Sequence, residues 1–306
     1  SCWMIDLAVK IGQLELKNPV MVASGTFGYA EEFADFFDLD ELGAVVTKTV
    51  TLEPRPGNKP PRIVETVGGM LNSIGLPNVG VEGFIIDKMP FLNTLKTKKI
   101  INVAGKTADD FVQVVARLED TPGIDAYELN FSCPNVKEGG LTFSANAHIA
   151  EQVTARVRQV SKRPMIVKLT PNVTSISEIG RAVENGGADA LSAINTLVGM
   201  AIDVKTKRPK LSTITGGLSG PAIKPIALAK VYELVTQVAI PVVAIGGIMS
   251  ADDALEFLLA GAVAVQVGTA NFLNPRAPLD VVEGIITYCK ENNIPSIHQL
   301  IGSMTV

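Results

Sequence analysis

Two patterns of apolar and polar positions alternate along this chain. Short runs that are apolar at nearly every position occur at 20–23, 44–47, 100–104, 126–129, 165–169, 190–194, 242–245 and 262–267. Apolar residues three and four apart fall between most of them, as in Phe111, Val114, Val115 and Leu118, or Ile149, Val153 and Val157, or Ala254, Phe257 and Leu258. The first pattern is that of a strand buried on both faces, as in a parallel sheet covered by helices. The second is one face of a helix. Helix starts are marked by Thr107 with Asp110, Ser175 with Glu178 ahead of Ile179, Ala182 and Val183, and Ser250 with Asp253, each a side-chain pair that can cap the first turn. Gly261 stands where a helix-ending glycine belongs.

Eight strand-like runs alternating with helices predict an α/β fold, a (β/α)₈ TIM barrel, rather than a doubly wound sheet. Residues 5–9 and 13–16, joined at Gly12, read as an N-terminal hairpin ahead of it. Two long insertions follow strand ends, at 51–89 and 197–220. Insertions there usually build a site or its cover. No linker or internal duplication divides the chain, so residues 1–306 are expected to form a single domain.

Composition narrows the function classes. A chain of 306 residues, 47% hydrophobic, can fill a barrel core. With 27 basic and 31 acidic residues the net charge is −4, which suggests neither nucleic acid nor an anionic membrane as partner. Cys2, Cys133 and Cys289 have no metal-ligand spacing and form no disulfide framework, which points to a reducing cytoplasm. No membrane span and no secretory signal are expected.

Barrels carry their sites at the C-terminal strand ends. Those ends supply Ser24 and Gly25, then Lys48 and Thr49, Asn102, and Asn130 to Cys133. Lys168, Asn195, Thr196, Gly246, Gly247, Gly268 and Thr269 complete the series. Glycines after strands seven and eight let backbone N–H groups approach a phosphate, although each alone could be an ordinary tight turn. Lys48 and Lys168 end apolar strands, where an unpaired ammonium is costly. They either pair with a carboxylate such as Glu128 or neutralise a ligand anion. Cys133, just past a strand end between Asn130 and Asn135, can be a nucleophile, a ligand or a proton acceptor, or simply a small buried hydrophobe. His148 and His298 lie at no strand end, so no histidine base is expected.

The stretch Asn130-Phe131-Ser132-Cys133-Pro134-Asn135 resembles the catalytic loop of the class 1 dihydroorotate dehydrogenases. Residues 22–28, 72–78 and 216–225 and the Gly246-Gly247 turn match the same family, so the resemblance spans nearly the whole chain. It implies an FMN-binding barrel. FMN would contact Ser24, Lys48, Thr49, Asn102, Asn130, Lys168, Ile194, Gly220, Gly246, Gly247, Gly268 and Thr269. The substrate would meet Lys48, Asn72, Ile74, Gly75, Leu76, Asn130, Asn135, Asn195 and Thr196. Cys133 would take the C5 proton of dihydroorotate while a hydride leaves C6 for the flavin, giving orotate in pyrimidine biosynthesis. Residues 195–201 and 217–224 are most similar to the class 1B catalytic subunit. That class implies a homodimer core of a heterotetramer, with a partner subunit that carries FAD and a [2Fe-2S] cluster and passes electrons to NAD.

Alternatives remain at this point. They are the fumarate-using class 1A homodimer, a related FMN enzyme acting on reduced pyrimidine bases, a flavin-free sugar-phosphate barrel and a non-catalytic scaffold. The membrane-associated class 2 resembles the chain less, because it uses a serine base and carries an N-terminal extension.

Overall fold

The computed structural model describes residues 4–131, 137–138, 141–142 and 145–306. Its centre is a closed barrel of eight parallel strands in which chain order equals spatial order. The strands are β1 (Val20–Val22), β2 (Ala44–Val46), β3 (Lys98–Val103), β4 (Ala126–Asn130), β5 (Met165–Leu169), β6 (Ala190–Ala193), β7 (Val242–Ile245) and β8 (Ala264–Val267). Every expected apolar run forms a barrel strand, with ends shifted by no more than two residues. The reason is burial on both faces, towards the barrel interior and towards the helices.

The helices are α1 (Gly80–Asp87), α2 (Met89–Leu92), α3 (Ala108–Glu119), α4 (Ala147–Val160), α5 (Ile176–Asn185), α6 (Lys224–Gln237), α7 (Ala251–Ala260), α8 (Ala270–Leu273) and α9 (Ala277–Glu291). From α3 to α7 each packs on the next in sequence, and α7 then packs on α9. Phe111, Val114, Val115 and Leu118 form the fully buried stripe of α3. Thr107 and Asp110 form a reciprocal capping box at its start, as Ser250 and Asp253 do for α7. Ser175 accepts from the Glu178 N–H, and no return bond from Glu178 completes a box there. Gly261 ends α7 in the left-handed conformation, φ 114°.

The first βα unit departs from the expected rhythm. Between β1 and β2 the chain makes only two short 3₁₀ turns, Glu31–Phe33 and Leu39–Glu41. Gly25 and Gly28 both take positive φ there, and the segment lacks a helical apolar stripe. Phe27 stacks on Phe33 at 4.1 Å between ring centroids and supplies the packing that a helix would otherwise give.

The N-terminal hairpin pairs Val9–Ile11 with Leu14–Leu16. It is shorter than expected, because Asp6 leaves it to bridge Ser296 near the C-terminus. Val9, Ile11, Leu14 and Leu16 are buried while Lys10 and Glu15 point outward. The Gly12 turn lies against Asp189, which immediately precedes β6, so the hairpin sits at the end of the barrel where the strands begin. Asp189 accepts from Arg158 (2.7 Å) and from the Met165 N–H (2.8 Å), tying α4 to β5 and β6 at that end.

The two insertions meet. Ile63–Thr66 and Gly69–Asn72 from the first, and Leu197–Met200 and Thr215–Ser219 from the second, form one four-stranded antiparallel sheet. Asn72 lies opposite Gly217, and Leu71 opposite Leu218. Asn78 anchors the first insertion: its carboxamide accepts from the N–H groups of Thr51 and Gly80 and donates to Thr51 Oγ1 and the Leu76 carbonyl.

The end of α7 opposite Gly261 carries a testable charge. Burial works to raise the Asp253 pKa, but Lys224 at 2.7 Å and the N–H groups of Met249 and Ser250 outweigh it and hold the carboxyl below its usual range. Asp253→Ala should cost about 1–2 kcal/mol, the usual worth of a cap. A lowered folded-state pKa places that contribution above the unfolded value near pH ~4 and removes it as pH falls through the folded value. Urea midpoints of parent and variant should therefore differ at pH 7 and converge below pH ~4; a gap that stays constant would refute the assignment.

Candidate active site

A cavity of about 470 Å³ opens at the C-terminal strand ends beneath the antiparallel sheet. That volume lies in the range of sites for cofactors and drug-sized ligands. Seven strand ends line it. Ser24 follows β1, Lys48 and Thr49 follow β2, Asn130 ends β4, and Lys168 is in β5. Ile194, Asn195 and Thr196 follow β6; Gly246 and Gly247 follow β7; Gly268 and Thr269 follow β8. From the insertions come Asn72, Ile74, Gly75, Leu76 and Gly220. All these positions are ones the sequence singled out, and the structure brings them to one wall.

Asn102 is the exception among the described residues. It is fully buried and absent from the cavity wall. In the β3–β4 register it lies opposite Glu128, one inward-facing position below Asn130. Its link to the cavity runs through Thr49, whose hydroxyl donates to Asn102 Oδ1 at 2.7 Å. Cys133 and Asn135 lie outside the described residues.

Beneath the cavity floor the barrel interior is polar. The Glu128 carboxylate is wholly buried. Its Oε1 accepts from Asn102 Nδ2 (2.7 Å), and its Oε2 accepts from Ser192 Oγ (3.0 Å) and Gln266 Nε2 (2.8 Å). Glu128 is therefore not an ion-pair partner of either lysine. Among the described residues no carboxylate lies within 4 Å of Lys48 or Lys168.

The wall is cationic. Lys48, Arg62 and Lys168 line it, and no described carboxylate does. Burial pushes the Lys168 ammonium below its ordinary pKa, and the nearby Glu128 charge opposes that shift. Partial burial likewise lowers Lys48; Glu32 counters it, while Arg62 and Lys88 add to it. Groups in this condition gain from an anion placed among them.

Amides and hydroxyls occupy the rest. Asn195 Nδ2 faces Asn130 Oδ1 at 3.4 Å, and Asn195 Oδ1 accepts from the Thr196 N–H at 2.8 Å. Ser24 donates to the Thr47 carbonyl at 2.8 Å. Thr269 donates to Ser219 Oγ at 3.0 Å and so fastens the turn after β8 to the covering sheet. Gly75 (φ 81°) and Leu76 (φ 55°) are consecutive left-handed residues. That conformation is unfavourable for leucine and marks a backbone held against its preference beside the cavity.

A phosphate-bearing cofactor fits this wall on one direct observation. Gly220, Gly246 and Gly247 all take positive φ, and the backbone there is close-packed. A Cβ on Gly247 would stand 2.9 Å from the Gly220 carbonyl oxygen, and one on Gly220 would stand 2.8 Å from the Gly69 Cα. Gly25 has nothing within 4 Å of its missing Cβ. Turns bare of side chains allow main-chain N–H groups to reach phosphate oxygens.

Several residues of the cavity wall and of the network beneath its floor escaped the sequence reading. Arg62 comes from a proline-rich insertion without a motif and reaches the cavity only through sheet pairing. Gln266 and Ser192 sit inside apolar runs, where nothing local distinguishes an inward polar side chain from an outward one. Ser219 lies within the 216–225 motif and could have been found there. His148 and His298 are exposed and away from the wall, as expected. Among the described residues no group of three or more potential ligands could hold a metal ion. No described helix is long and apolar enough to cross a membrane.

Comparison with known proteins agrees with this geometry. The family model for dihydroorotate dehydrogenase matches residues 6–288. The chain is 52% identical over 299 residues to the dihydroorotate dehydrogenase B (NAD(+)), catalytic subunit, of Geotalea uraniireducens, covering 98% of each. It is 54% identical over 298 residues to the protein of the same name from Trichlorobacter lovleyi, covering 97% of this chain and 98% of that one. It is also 54% identical over 299 residues to that of Desulforamulus reducens, covering 98% of each. The chain belongs to the dihydroorotate dehydrogenase family.

Proposed function

We propose that this chain is the FMN-dependent catalytic subunit of a class 1B dihydroorotate dehydrogenase. It oxidises dihydroorotate to orotate in pyrimidine biosynthesis, and its electrons pass to NAD through a partner subunit. The observation that carries this is one cavity whose wall, among the described residues, combines a glycine cradle, a ring of amides and three cations with no carboxylate. The names of the relatives support the NAD-linked type.

The residue roles follow from their chemistry. Gly220, Gly246, Gly247, Gly268 and Thr269 would hold the FMN phosphate, with Ser24, Thr49, Asn130 and Ile194 along the remainder. When bound, FMN supplies the hydride acceptor. Lys168, on the cavity floor, would offset negative charge gained on reduction. Orotate is planar, carries a carboxylate and has amide edges. Lys48 would pair with the carboxylate, and Asn72, Asn130, Asn135 and Asn195 would read the edges, because amides both donate and accept. Ile74, Gly75, Leu76 and Thr196 would close the substrate side. Cys133 would be the base, taking the proton from C5. The sheet built from the insertions would exclude water.

The partner reading rests on electron counting. Reduced FMN must be reoxidised, and a chain with three cysteines cannot supply the four thiolates of a [2Fe-2S] cluster. FAD and the cluster would reside on the other subunit, around a homodimer of this chain.

Three outcomes test these assignments. Gly268 has an ordinary φ, and a Cβ there would meet only the Ala23 Cβ at 3.3 Å and the Thr26 methyl at 3.7 Å. Gly268→Val should therefore fold and yet purify with little flavin; full flavin content would remove this turn from the phosphate site. Cys133→Ala should still bind orotate but lose a factor of ~10²–10⁴ in the rate of flavin reduction by dihydroorotate. Reduction at the parent rate would exclude Cys133 as the base. The purified chain alone should turn over with a dye acceptor and only weakly with NAD or fumarate. Brisk fumarate-dependent turnover would move it to the homodimeric type, and efficient NAD reduction would eliminate the partner.

A further inference from the structure

Two charged side chains face the barrel interior here: Lys168 from β5 on the cavity floor, and Glu128 from β4 beneath it. Glu128 is fully buried and Lys168 is 6% exposed. In the β4–β5 register Ile166 lies opposite Glu128, and Lys168 lies opposite Asn130. Side chains two apart on a strand share a face, so Lys168 stands one layer above Glu128 on the adjacent strand.

The carboxylate's hydrogen-bond donors are the carboxamides of Asn102 and Gln266 and the hydroxyl of Ser192. All three are neutral. They fix the carboxylate in place without cancelling its charge. Among the described residues the other elements around Lys168 bring no anion. β6 presents Ser192 opposite it, β8 presents Gln266, and the remaining described charges on the cavity wall are the cations Lys48 and Arg62. Glu128 is the one described charge near enough to act on the Lys168 ammonium.

We propose that Glu128 is a positioning residue: its fixed, buried negative charge keeps Lys168 protonated on the cavity floor. A buried lysine without an opposing charge is driven by desolvation towards its neutral form. A neutral Lys168 could not offset charge on a reduced flavin. The inference deepens the proposed function and, for its redox consequence, rests on flavin occupying this cavity. The Glu128–Lys168 coupling itself does not need the flavin.

Glu128→Gln keeps the shape and removes the charge. In the flavin-free chain with ¹³Cε-labelled lysine, Lys168 is identified by its loss in Lys168→Met. Its titration midpoint should fall in Glu128→Gln by about one unit or more, a tenfold or greater change in proton affinity. An unchanged midpoint would overturn the proposal. In the FMN-loaded chain the two roles of Glu128 predict opposite signs. Removing a nearby negative charge by itself would raise the flavin potential at every pH. Losing the Lys168 proton would lower the potential, with the drop starting at lower pH than in the parent. The second pattern is expected, and it should vanish in a Lys168→Met background; a uniform rise would overturn the proposal. If the chain takes up no flavin, the proposed function fails while the lysine titration still decides the coupling. If Glu128→Gln does not fold, Glu128→Asp provides the second test. The Lys168 signal of Glu128→Asp, which draws the charge back by one methylene, should then move its midpoint in the same downward direction, and an unmoved midpoint would overturn the proposal.

Discussion

A carboxylate inside a closed barrel cannot be left to itself. Desolvating it costs several kcal/mol unless hydrogen bonds replace its water. Glu128 meets that demand with donors from β3, β6 and β8, which lie 26, 64 and 138 positions away in the chain. No fragment of the sequence can satisfy it. The network forms only when the barrel has closed in register, and it then fixes the level of everything above it. Asn130 and Lys168 emerge at the cavity because Glu128 and Ile166 occupy the layer beneath. Thr49 is held through Asn102, which is itself held by the carboxylate. The floor of the site and the core of the fold are thus one polar structure.

The cover has a different origin. Two insertions with little regular signal of their own satisfy their backbone groups by pairing with each other across the mouth. Gly217 fits where it does because a side chain there would collide with Thr196, whose hydroxyl would stand 2.0 Å from the added Cβ. Close approach between the sheet and the end of β6 brings residues of both insertions to one wall. The bond from Thr269 to Ser219 fastens the opposite edge to β8. The cover, pinned at two strand ends, lies over the cavity and its lower face supplies side chains to it.

Electrostatics gives the cavity its selectivity for class of ligand. Among the described residues three cations and no carboxylate line this partly desolvated space, and together they form a field that favours anions. Glycine turns add main-chain donors on one side, and amides add paired donors and acceptors on the other. A ligand with a phosphate, or with a planar amide edge and a carboxylate, meets complementary groups at each place. A strongly cationic ligand meets none.

Local sequence determined the elements. Runs of apolar residues from four to six long became the eight barrel strands, and the boxes at Thr107 and Ser250 and the glycine at 261 set helix ends where expected. These signals act within a few residues, through hydrogen-bond capping and two-sided burial, so they can be read without knowing the fold. The site motifs were legible for a related reason. They lie just past strand ends, and once a barrel is inferred, all such ends must meet at one mouth. What the tertiary structure decided depends on neighbours distant in the chain. The shortened hairpin reflects a bridge from Asp6 to Ser296. The missing helix after β1 reflects an aromatic cluster that packs in its place. Arg62 joined the cavity only because its insertion pairs with another. Asn102 moved from wall to floor, and Glu128 from a candidate salt bridge to the centre of a network of neutral donors, because inward direction and layer are set by register around a closed barrel. Register arises from the cooperative pairing of all eight strands, and no short window of sequence contains it.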